Sequence, residues 1–368
     1  MARLSQVQRN DLDQISAGCD TFGMMYSSEH NPSWQAAFRQ VFELCQITSS
    51  EQVVVLSETG SRSVNVALAR AALADMGLAF KSLVVPSPSA PDGPIIRSTG
   101  SCEALNTAPV AVDQLCAADV VIDLTIEGLM HARQTGKILQ SGARILNISN
   151  EHPDILARLV PDPKMKATVR AAMGRCRNAS EMTVTSDAGT ELHVDMTGAA
   201  SVGIWGYTDR PGTLAHWPAG LIVSFPKAGS VNGRLVFQPG DLNLTFKRYF
   251  ESQVVFTLDA DFVTQIDGTG TDAKLMRSYL ADFDDPLAFA TSHVGWGLNP
   301  AARYEALTMY DKHDLNGTEL RALAGNFLYS TGANEFAKRF TRGHFDLPMM
   351  GCDIRLDGDL VVSKGVPV

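Results

Sequence analysis

The stretch Gln52-Val-Val-Val-Leu-Ser-Glu-Thr-Gly-Ser-Arg-Ser63 decides the fold of the first half of the chain. It begins with a short apolar run, Val53–Leu56, whose length and β-branched composition are typical of a buried strand. A turn at Gly60 follows, and residues 63–76 then place apolar side chains at helical spacing until Gly77. A strand that leads directly into a helix predicts a βαβ unit in a parallel sheet.

The same alternation continues to about residue 160. Further strands are predicted at Ala79–Val85, Val120–Leu124 and Arg144–Ile148. Helices are predicted near Val110–Cys116 and from Glu127 to Gln140. This order predicts a doubly wound, mostly parallel α/β domain, which we assign to residues 1–165.

The second half of the chain has a different pattern, in which short alternating segments dominate. Residues 182–186 and 191–196 flank Asp187-Ala-Gly189, which indicates a β-hairpin. Further strands are expected at Leu221–Phe225, Gly233–Phe237, Val254–Leu258, Phe262–Ile266, His344–Asp346 and Ile354–Val362. Helices are expected at Pro163–Arg177, Thr271–Ala281 and Gly317–Leu328. We therefore expect a strand-rich α+β domain over residues 166–368.

Composition and charge exclude several classes of protein. The chain has 368 residues, of which 45% are hydrophobic, and a formal net charge of −9. The apolar fraction is that of a globular protein, and the negative charge argues against nucleic acid or an anionic membrane as the main partner. Apolar runs such as Val53–Leu56 are far too short to span a membrane, and Met1–Gln14 lacks the apolar core of a secretory signal. The six cysteines form no CxxC pair, so we expect a reduced, cytoplasmic protein.

Motifs that bind nucleotides or anions are weak. Gly60-Ser-Arg-Ser63 matches neither the dinucleotide-binding nor the P-loop glycine pattern, and Gly268-Thr-Gly270 is explained by an ordinary helix N-terminus. One predicted helix carries five basic residues, which we interpret as a solvated face: Lys164, Lys166, Arg170, Arg175 and Arg177. None of these features predicts a function.

Two histidines and one aspartate are candidate metal ligands. His344 and Asp346 are two residues apart in a predicted strand, so both side chains share one face. His293 lies in a segment with Gly295 and Gly297, and glycines allow another backbone segment to approach closely beside a site. Two histidines and one carboxylate form the triad that leaves open positions on ferrous iron. The alternative is that His293 only packs in the loop around Trp296, and spacing alone leaves both interpretations open.

Four segments carry a resemblance to a known superfamily. They are Ser186–Leu192, Ala215–Gly220 together with Gly229–Gly233, Ser292–Pro300, and Gly343–Gly351. Together they resemble the thermophilic leucyl aminopeptidase superfamily, and within it the dioxygenase branch, the 2,5-dihydroxypyridine 5,6-dioxygenases. The resemblance covers most of the chain and is strongest from Ser180 to Met350.

Two departures from the aminopeptidase pattern favour the dioxygenase branch. Aminopeptidases of this superfamily have metal-binding glutamates at the positions that are Leu221 and His293 here. A two-metal peptidase site needs those carboxylates to hold both ions and to orient the attacking water. The residues that remain, His293, His344 and Asp346, are the set that the resemblance implies for a single Fe(II).

The resemblance also implies three residues near the metal. Ser330 corresponds to a serine beside the metal, and the alternative is an ordinary hydroxyl at a helix end. His216 and His131 correspond to positions at the pocket, and either could move a proton because its unperturbed pKa lies near neutrality. For His131 the alternative is a residue on a helix surface.

The implied function is an extradiol-like ring-cleaving dioxygenase of nicotinate degradation. It would convert 2,5-dihydroxypyridine and molecular oxygen into N-formylmaleamate, and it would act as a homo-oligomer. Three protein ligands and a water also suit zinc, so a single-zinc aminopeptidase or amidase is the alternative. A binding protein that holds a small aromatic acid is a third interpretation.

Overall fold

The computed structural model describes residues 31–88 and 101–368. The interpretation of Met1–Gln14 therefore lies outside the described residues. Among the described helices, none combines the length and the apolar character that crossing a membrane requires.

A parallel sheet of five strands organises the first half of the chain. Its order is β2-β1-β3-β4-β8. The strands are β1 (Val53–Glu58), β2 (Phe80–Val85), β3 (Val120–Asp123), β4 (Arg144–Ile148) and β8 (Leu214–Trp217). The accompanying helices are α1 (Pro32–Leu44), α2 (Ser63–Asp75), α3 (Pro109–Cys116), α4 (Thr135–Gln140) and α5 (Pro153–Arg158).

Both faces of this sheet are buried, which explains the continuous apolar run in β1. Val53 and Val55 pack with α1 and α2 on one face. Val54 and Leu56 pack with α3 and α4 on the other face. The arrangement confirms the predicted doubly wound α/β fold of this half.

Antiparallel sheets make up most of the second half. Strands β5 (Glu181–Thr185), β6 (Glu191–Asp195), β10 (Val231–Phe237), β13 (Val254–Asp259), β14 (Phe262–Asp267), β18 (Asp353–Leu356), β19 (Asp359–Ser363) and β20 (Val366–Pro367) form an eight-stranded sheet. Strands β7 (Ala200–Ile204), β9 (Leu221–Phe225), β15 (Thr291–Gly297), β16 (Phe327–Asn334) and β17 (Arg339–Met349) form a five-stranded sheet of order β17-β16-β15-β9-β7. The remaining strands and helices are β11 (Leu242–Asn243), β12 (Arg248–Tyr249), α6 (Pro163–Asn178), α7 (Thr271–Ala281), α8 (Ala306–Met309) and α9 (Thr318–Arg321).

The two larger antiparallel sheets pack their apolar faces into one core. Val184 and Phe256 of the eight-stranded sheet belong to the same buried cluster as Val294, Tyr329 and Phe345 of the five-stranded sheet. This strand-rich half confirms the α+β prediction. The Asp187-Ala-Gly189 turn joins β5 and β6 as an antiparallel hairpin, as predicted.

The boundary at residue 165 stays a prediction. It falls inside α6, and β8 lies well beyond it although it pairs in parallel with β4 of the first sheet. The chain therefore returns once to the first sheet before it continues into the antiparallel sheets.

Two predicted helices are wrong in extent. The helix expected from Glu127 to Gln140 is only α4, because the buried carboxylate of Asp123 accepts the backbone N–H groups of Thr125 and Leu129 at 3.0 and 2.8 Å. A carboxylate that binds nearby N–H groups stabilises a turn at the expense of a helix.

The helix expected at Gly317–Leu328 ends at Arg321. There the side-chain amide of Asn326 donates to the Leu320 carbonyl at 2.7 Å, and Gly325 adopts a φ of 87°. Strand β16 then begins at Phe327. The segment predicted as one strand from Ile354 to Val362 is the β18–β19 hairpin.

Candidate functional site

The three predicted metal ligands lie on two strands of one sheet, β15 and β17, which flank β16. His344 and Asp346 are on β17, His293 is on β15, and β16 pairs with both strands. A Cβ atom at Gly295 would lie 2.0 Å from the carbonyl oxygen of Ile222, so glycine is required for β15 to approach β9. The glycine at this position therefore allows the two strands to approach closely beside the site.

The ligand atoms of this triad face one point. Nε2 of His344 is 3.1 Å from Oδ2 of Asp346, and Nε2 of His293 is 3.8 Å from Oδ1 of the same carboxylate. One donor atom from each residue lies within 4.8 Å of the others, and all three side chains are buried. Two imidazoles and a carboxylate converge as they would around one cation.

The protonation states of His293 and Asp346 suit metal ligands. Burial lowers the pKa of His293 to about 3, so its imidazole is neutral at pH 7. Burial raises the pKa of the Asp346 carboxyl, but the charges of Arg321 and His344 outweigh it and hold that pKa well below its usual range. Neutral imidazole and ionised carboxylate are the forms that bind metals.

The imidazole of His293 also lacks a hydrogen-bond partner. Its Nδ1 atom is buried without a partner among the described residues, and its Nε2 atom reaches only the carboxylate at 3.8 Å. A buried polar atom without a partner costs free energy. A cation between the three side chains would take up the lone pair of Nε2, the ring nitrogen that faces the Asp346 carboxylate.

Two further side chains hold the Asp346 carboxylate. Nε of Arg321 donates to Oδ2 at 2.5 Å, and Oγ of Ser330 donates to Oδ1. Ser330 is directly opposite Asp346 in the β16–β17 pairing, so the strand register sets this contact. The alternative interpretation of Ser330 as a hydroxyl at a helix end is therefore wrong.

His216 lies at the carboxyl end of β8 and lines the cavity beside the triad. Its Nδ1 atom is 2.7 Å from the Pro218 carbonyl oxygen, and a carbonyl can only accept, so Nδ1 carries the proton. The Nε2 atom is then the atom with a lone pair. Burial lowers the pKa of His216 to about 4, with the charge of Arg321 as a further cause.

His131 lies in the loop between β3 and α4. The alternative interpretation of His131 as a residue on a helix surface is therefore wrong. Its Nδ1 atom pairs with Oε1 of Glu335 at 3.0 Å, and its ring centre is 5.9 Å from that of His344. Burial raises the pKa of Glu335, but the hydrogen bond from His131 outweighs it and the net pKa is lowered. The loop itself is held by the Asp123 carboxylate, which also accepts from the Asn147 side chain at 2.7 Å.

A cavity of about 560 Å³ contains the triad, His131 and His216. It opens at the carboxyl ends of the parallel strands, where doubly wound sheets bind ligands. Its apolar wall includes Leu221, Val223 and Phe225 of β9. Leu221, which the resemblance places at a glutamate position of the aminopeptidases, is part of this apolar wall.

Two charged residues of the site were not predicted from the sequence. Arg321 is on the short helix α9, and Glu335 is in a turn after β16, and neither segment has a distinctive local pattern. Proximity in sequence offered the only signal, since Glu335 and Arg321 both lie within 15 residues of Ser330.

The comparisons with known proteins identify the family of this chain. A family model described as 2,5-dihydroxypyridine 5,6-dioxygenase matches residues 33–368. The chain belongs to this family. The 2,5-dihydroxypyridine 5,6-dioxygenase of Pseudomonas putida KT2440 is 34% identical over 332 residues, which are 89% of this chain and 94% of that protein. The predicted membership in the 2,5-dihydroxypyridine 5,6-dioxygenase family is confirmed, and the chain is an enzyme of the oxygenase class.

Solved structures extend the comparison to the fold of this family. The structure titled as the 2,5-dihydroxypyridine dioxygenase of P. putida KT2440 superimposes with a TM-score of 0.86 and covers 91% of this chain and 96% of that one. AmpT of Thermus thermophilus superimposes with a TM-score of 0.57 at 14% identity, covering 91% and 99% of the two chains. The second likeness concerns the fold alone.

Proposed function

We propose that this enzyme opens the ring of 2,5-dihydroxypyridine with molecular oxygen. The observation that carries the proposal is the buried triad of two imidazoles and one carboxylate inside a cavity of about 560 Å³. Membership in the dioxygenase family supports the same substrate class. In the proposed reaction the bond between ring carbons 5 and 6 breaks. Both oxygen atoms enter N-formylmaleamate, so no external reductant is required.

We propose Fe(II) as the metal that His293, His344 and Asp346 hold. This ligand set is the one that non-heme iron oxygenases use. When bound, the iron supplies open coordination positions on which the substrate and oxygen can meet. Leu221 supports a single ion, because it removes a carboxylate that a second ion would need.

His131 is the proposed proton acceptor for a ring hydroxyl. Its Nδ1 atom faces the Glu335 carboxylate, which leaves the lone pair on Nε2 and stabilises the ring once it is protonated. His216 has only a carbonyl partner, and burial disfavours its charged form. We therefore assign His216 to orienting the substrate through Nε2, and Ser330 and Arg321 to holding the Asp346 carboxylate.

One set of assays tests the proposed reaction. Anaerobically purified protein is loaded with Fe(II) or with zinc and given 2,5-dihydroxypyridine in an oxygen electrode, and separately a leucine anilide. Oxygen uptake with iron alone is the expected result. Cleavage of the anilide with zinc and no oxygen uptake would establish the aminopeptidase alternative instead. No turnover of either substrate would favour the binding protein.

The remaining assignments are also proposals. The resemblance favours a homo-oligomer in the cytoplasm, with the dihydroxypyridine and oxygen as the small-molecule partners. Light scattering on the purified protein measures the oligomeric state, and a monomer at micromolar concentration would contradict the proposed homo-oligomer.

A further inference from the structure

A second cavity of about 440 Å³ lies on the far side of the reaction cavity's wall. It is formed by α6 and by two edge strands, β7 of the five-stranded antiparallel sheet and β8 of the parallel sheet. We call it the basic cleft. Four cationic residues line it: Lys166, Arg170, Arg177 and Arg210.

The charge of the cleft is opposite to that of the protein. Lys166, Arg170 and Arg177 are spaced four and seven residues apart along α6, so they lie on one stripe. Of the five basic residues that the sequence suggested as a solvated face, four are exposed as predicted, and these three line the cleft. In a chain with a net charge of −9, this concentration of positive charge is a local exception.

Few carboxylates neutralise these cations. Asp209 pairs with Lys166, and its second oxygen is 4.0 Å from Nε of Arg210. Among the described residues, no carboxylate lies within ion-pair distance of Arg170 or Arg177. The nearest polar contact of Arg177 is the Ser201 carbonyl oxygen at 3.2 Å. The cleft therefore retains a net positive charge that attracts an anion.

The cleft also offers a flat apolar surface and a hydrogen-bond donor. The ammonium group of Lys166 lies 5.3 Å from the ring centres of both Trp205 and Tyr207. The Nε1 atom of Trp205 is buried and has no acceptor among the described residues. A buried N–H group without an acceptor is rare in proteins, and the oxygen of an anionic ligand would satisfy it.

The position of the cleft connects it to the reaction cavity. Val202 of β7 and Leu214 of β8 line both cavities, so these two side chains form part of the wall between them. The proposed reaction converts a neutral aromatic substrate into a flat, unsaturated carboxylate. The product therefore differs from the substrate in the property that the cleft would recognise.

We propose that the basic cleft binds a small unsaturated carboxylate of the class to which the ring-opened product belongs. Arg170 and Arg177 bind the carboxylate, the Trp205 N–H donates to an oxygen, and the rings of Trp205 and Tyr207 contact the flat carbon skeleton. The identity of the ligand as product rests on the proposed function, whereas binding of the anion does not.

The test measures binding separately from catalysis. The full chain carrying Asp346→Ala, which lacks one of the proposed metal ligands, is titrated with maleamate by calorimetry, with inorganic phosphate as a second probe. In this background we introduce Arg170→Ala and Trp205→Phe, the second of which keeps an aromatic ring but removes the N–H group. Lys164→Ala is the matched control, because Lys164 is exposed on the same helix and does not line the cleft.

We expect maleamate to bind and each cleft variant to weaken it by about tenfold, as the loss of one charge-assisted hydrogen bond predicts. Lys164→Ala should leave binding unchanged. Absence of maleamate binding, or equal weakening by Lys164→Ala, would overturn the proposal. Phosphate binding as tight as maleamate binding would overturn the part that concerns the unsaturated skeleton.

The two proposals fail in distinguishable ways. Cleft binding without oxygen uptake by the wild-type iron-loaded protein would refute the reaction alone. Oxygen uptake without cleft binding would refute this inference alone.

Discussion

Arg321 donates a hydrogen bond from Nε to Oδ2 of Asp346 at 2.5 Å, although the two residues belong to different elements, α9 and β17. The same guanidinium donates to Oδ1 of Asn316 at 2.9 Å, and the backbone N–H of Asn316 donates to the buried Glu151 carboxylate at 2.8 Å. The carboxylate proposed as a metal ligand is thus connected through two residues, Arg321 and Asn316, to Glu151 in the loop that follows β4 of the parallel sheet.

Loss of a triad residue should remove the metal and leave the fold. We expect His344→Ala and Asp346→Ala to abolish bound iron and oxygen uptake, because two ligands cannot hold the ion in this geometry. Metal content by mass spectrometry and circular dichroism measure both effects. His193→Ala is the control, since His193 is exposed on β6. Stoichiometric iron in both triad variants would contradict the proposed ligands.

Removing the Arg321 contact should weaken the metal site without deleting a ligand. We expect Arg321→Met to lower iron affinity about 10- to 100-fold, the usual effect of losing a group that orients a ligand. Ser330→Ala should have the same direction of effect. Arg234→Met, on the exposed side of β10, should leave affinity unchanged, and competition with a chelator measures all three. Unchanged affinity in Arg321→Met would show that strand pairing alone orients Asp346.

The two pocket histidines should differ in their effect on turnover. We expect His131→Gln to retain iron and slow turnover by about 10²-fold or more, as loss of a general base predicts. Glu335→Gln should slow it in the same direction, because Glu335 stabilises the protonated ring. Rapid mixing with 2,5-dihydroxypyridine and oxygen measures the rates.

His216→Asn should slow turnover less than His131→Gln does, because His216 resists protonation. Asparagine retains a side-chain donor for the Pro218 carbonyl. A larger loss in His216→Asn than in His131→Gln would reverse the assignment of the proton acceptor.

Acidification should destabilise the metal-free protein through His216. Its pKa is lowered from 6.5 to about 4, so the unfolded chain binds a proton that the folded chain does not, and stability falls as the pH falls between these values. His216 contributes about 1.4 kcal/mol per pH unit to the slope of the free energy of unfolding in that window. Urea unfolding of the wild type and His216→Asn from pH 7 to pH 5 measures it.

The His216→Asn variant should lose part of the pH dependence of the free energy of unfolding. His193→Asn removes an exposed histidine and is the matched control. Identical pH profiles for the wild type and His216→Asn would contradict the neutral, buried state of His216.

The sequence by itself determined the fold class, the family and the set of candidate ligands. Val53–Leu56 predicted a strand buried on both faces, and the spacing of His344 and Asp346 predicted two side chains on one face of a strand. These properties depend on local periodicity, because burying apolar groups and pairing the backbone set the repeat of every strand and helix.

Only the tertiary structure decided which charged groups complete the site. Glu335 is 204 residues from its partner His131, and Arg321 is 25 residues from Asp346. Such contacts depend on strand register and on the packing of loops, and no local pattern specifies either. The Asp123 carboxylate likewise made a loop of the segment that carries His131. Long-range packing therefore built the cavity and the basic cleft from residues whose own segments predicted neither.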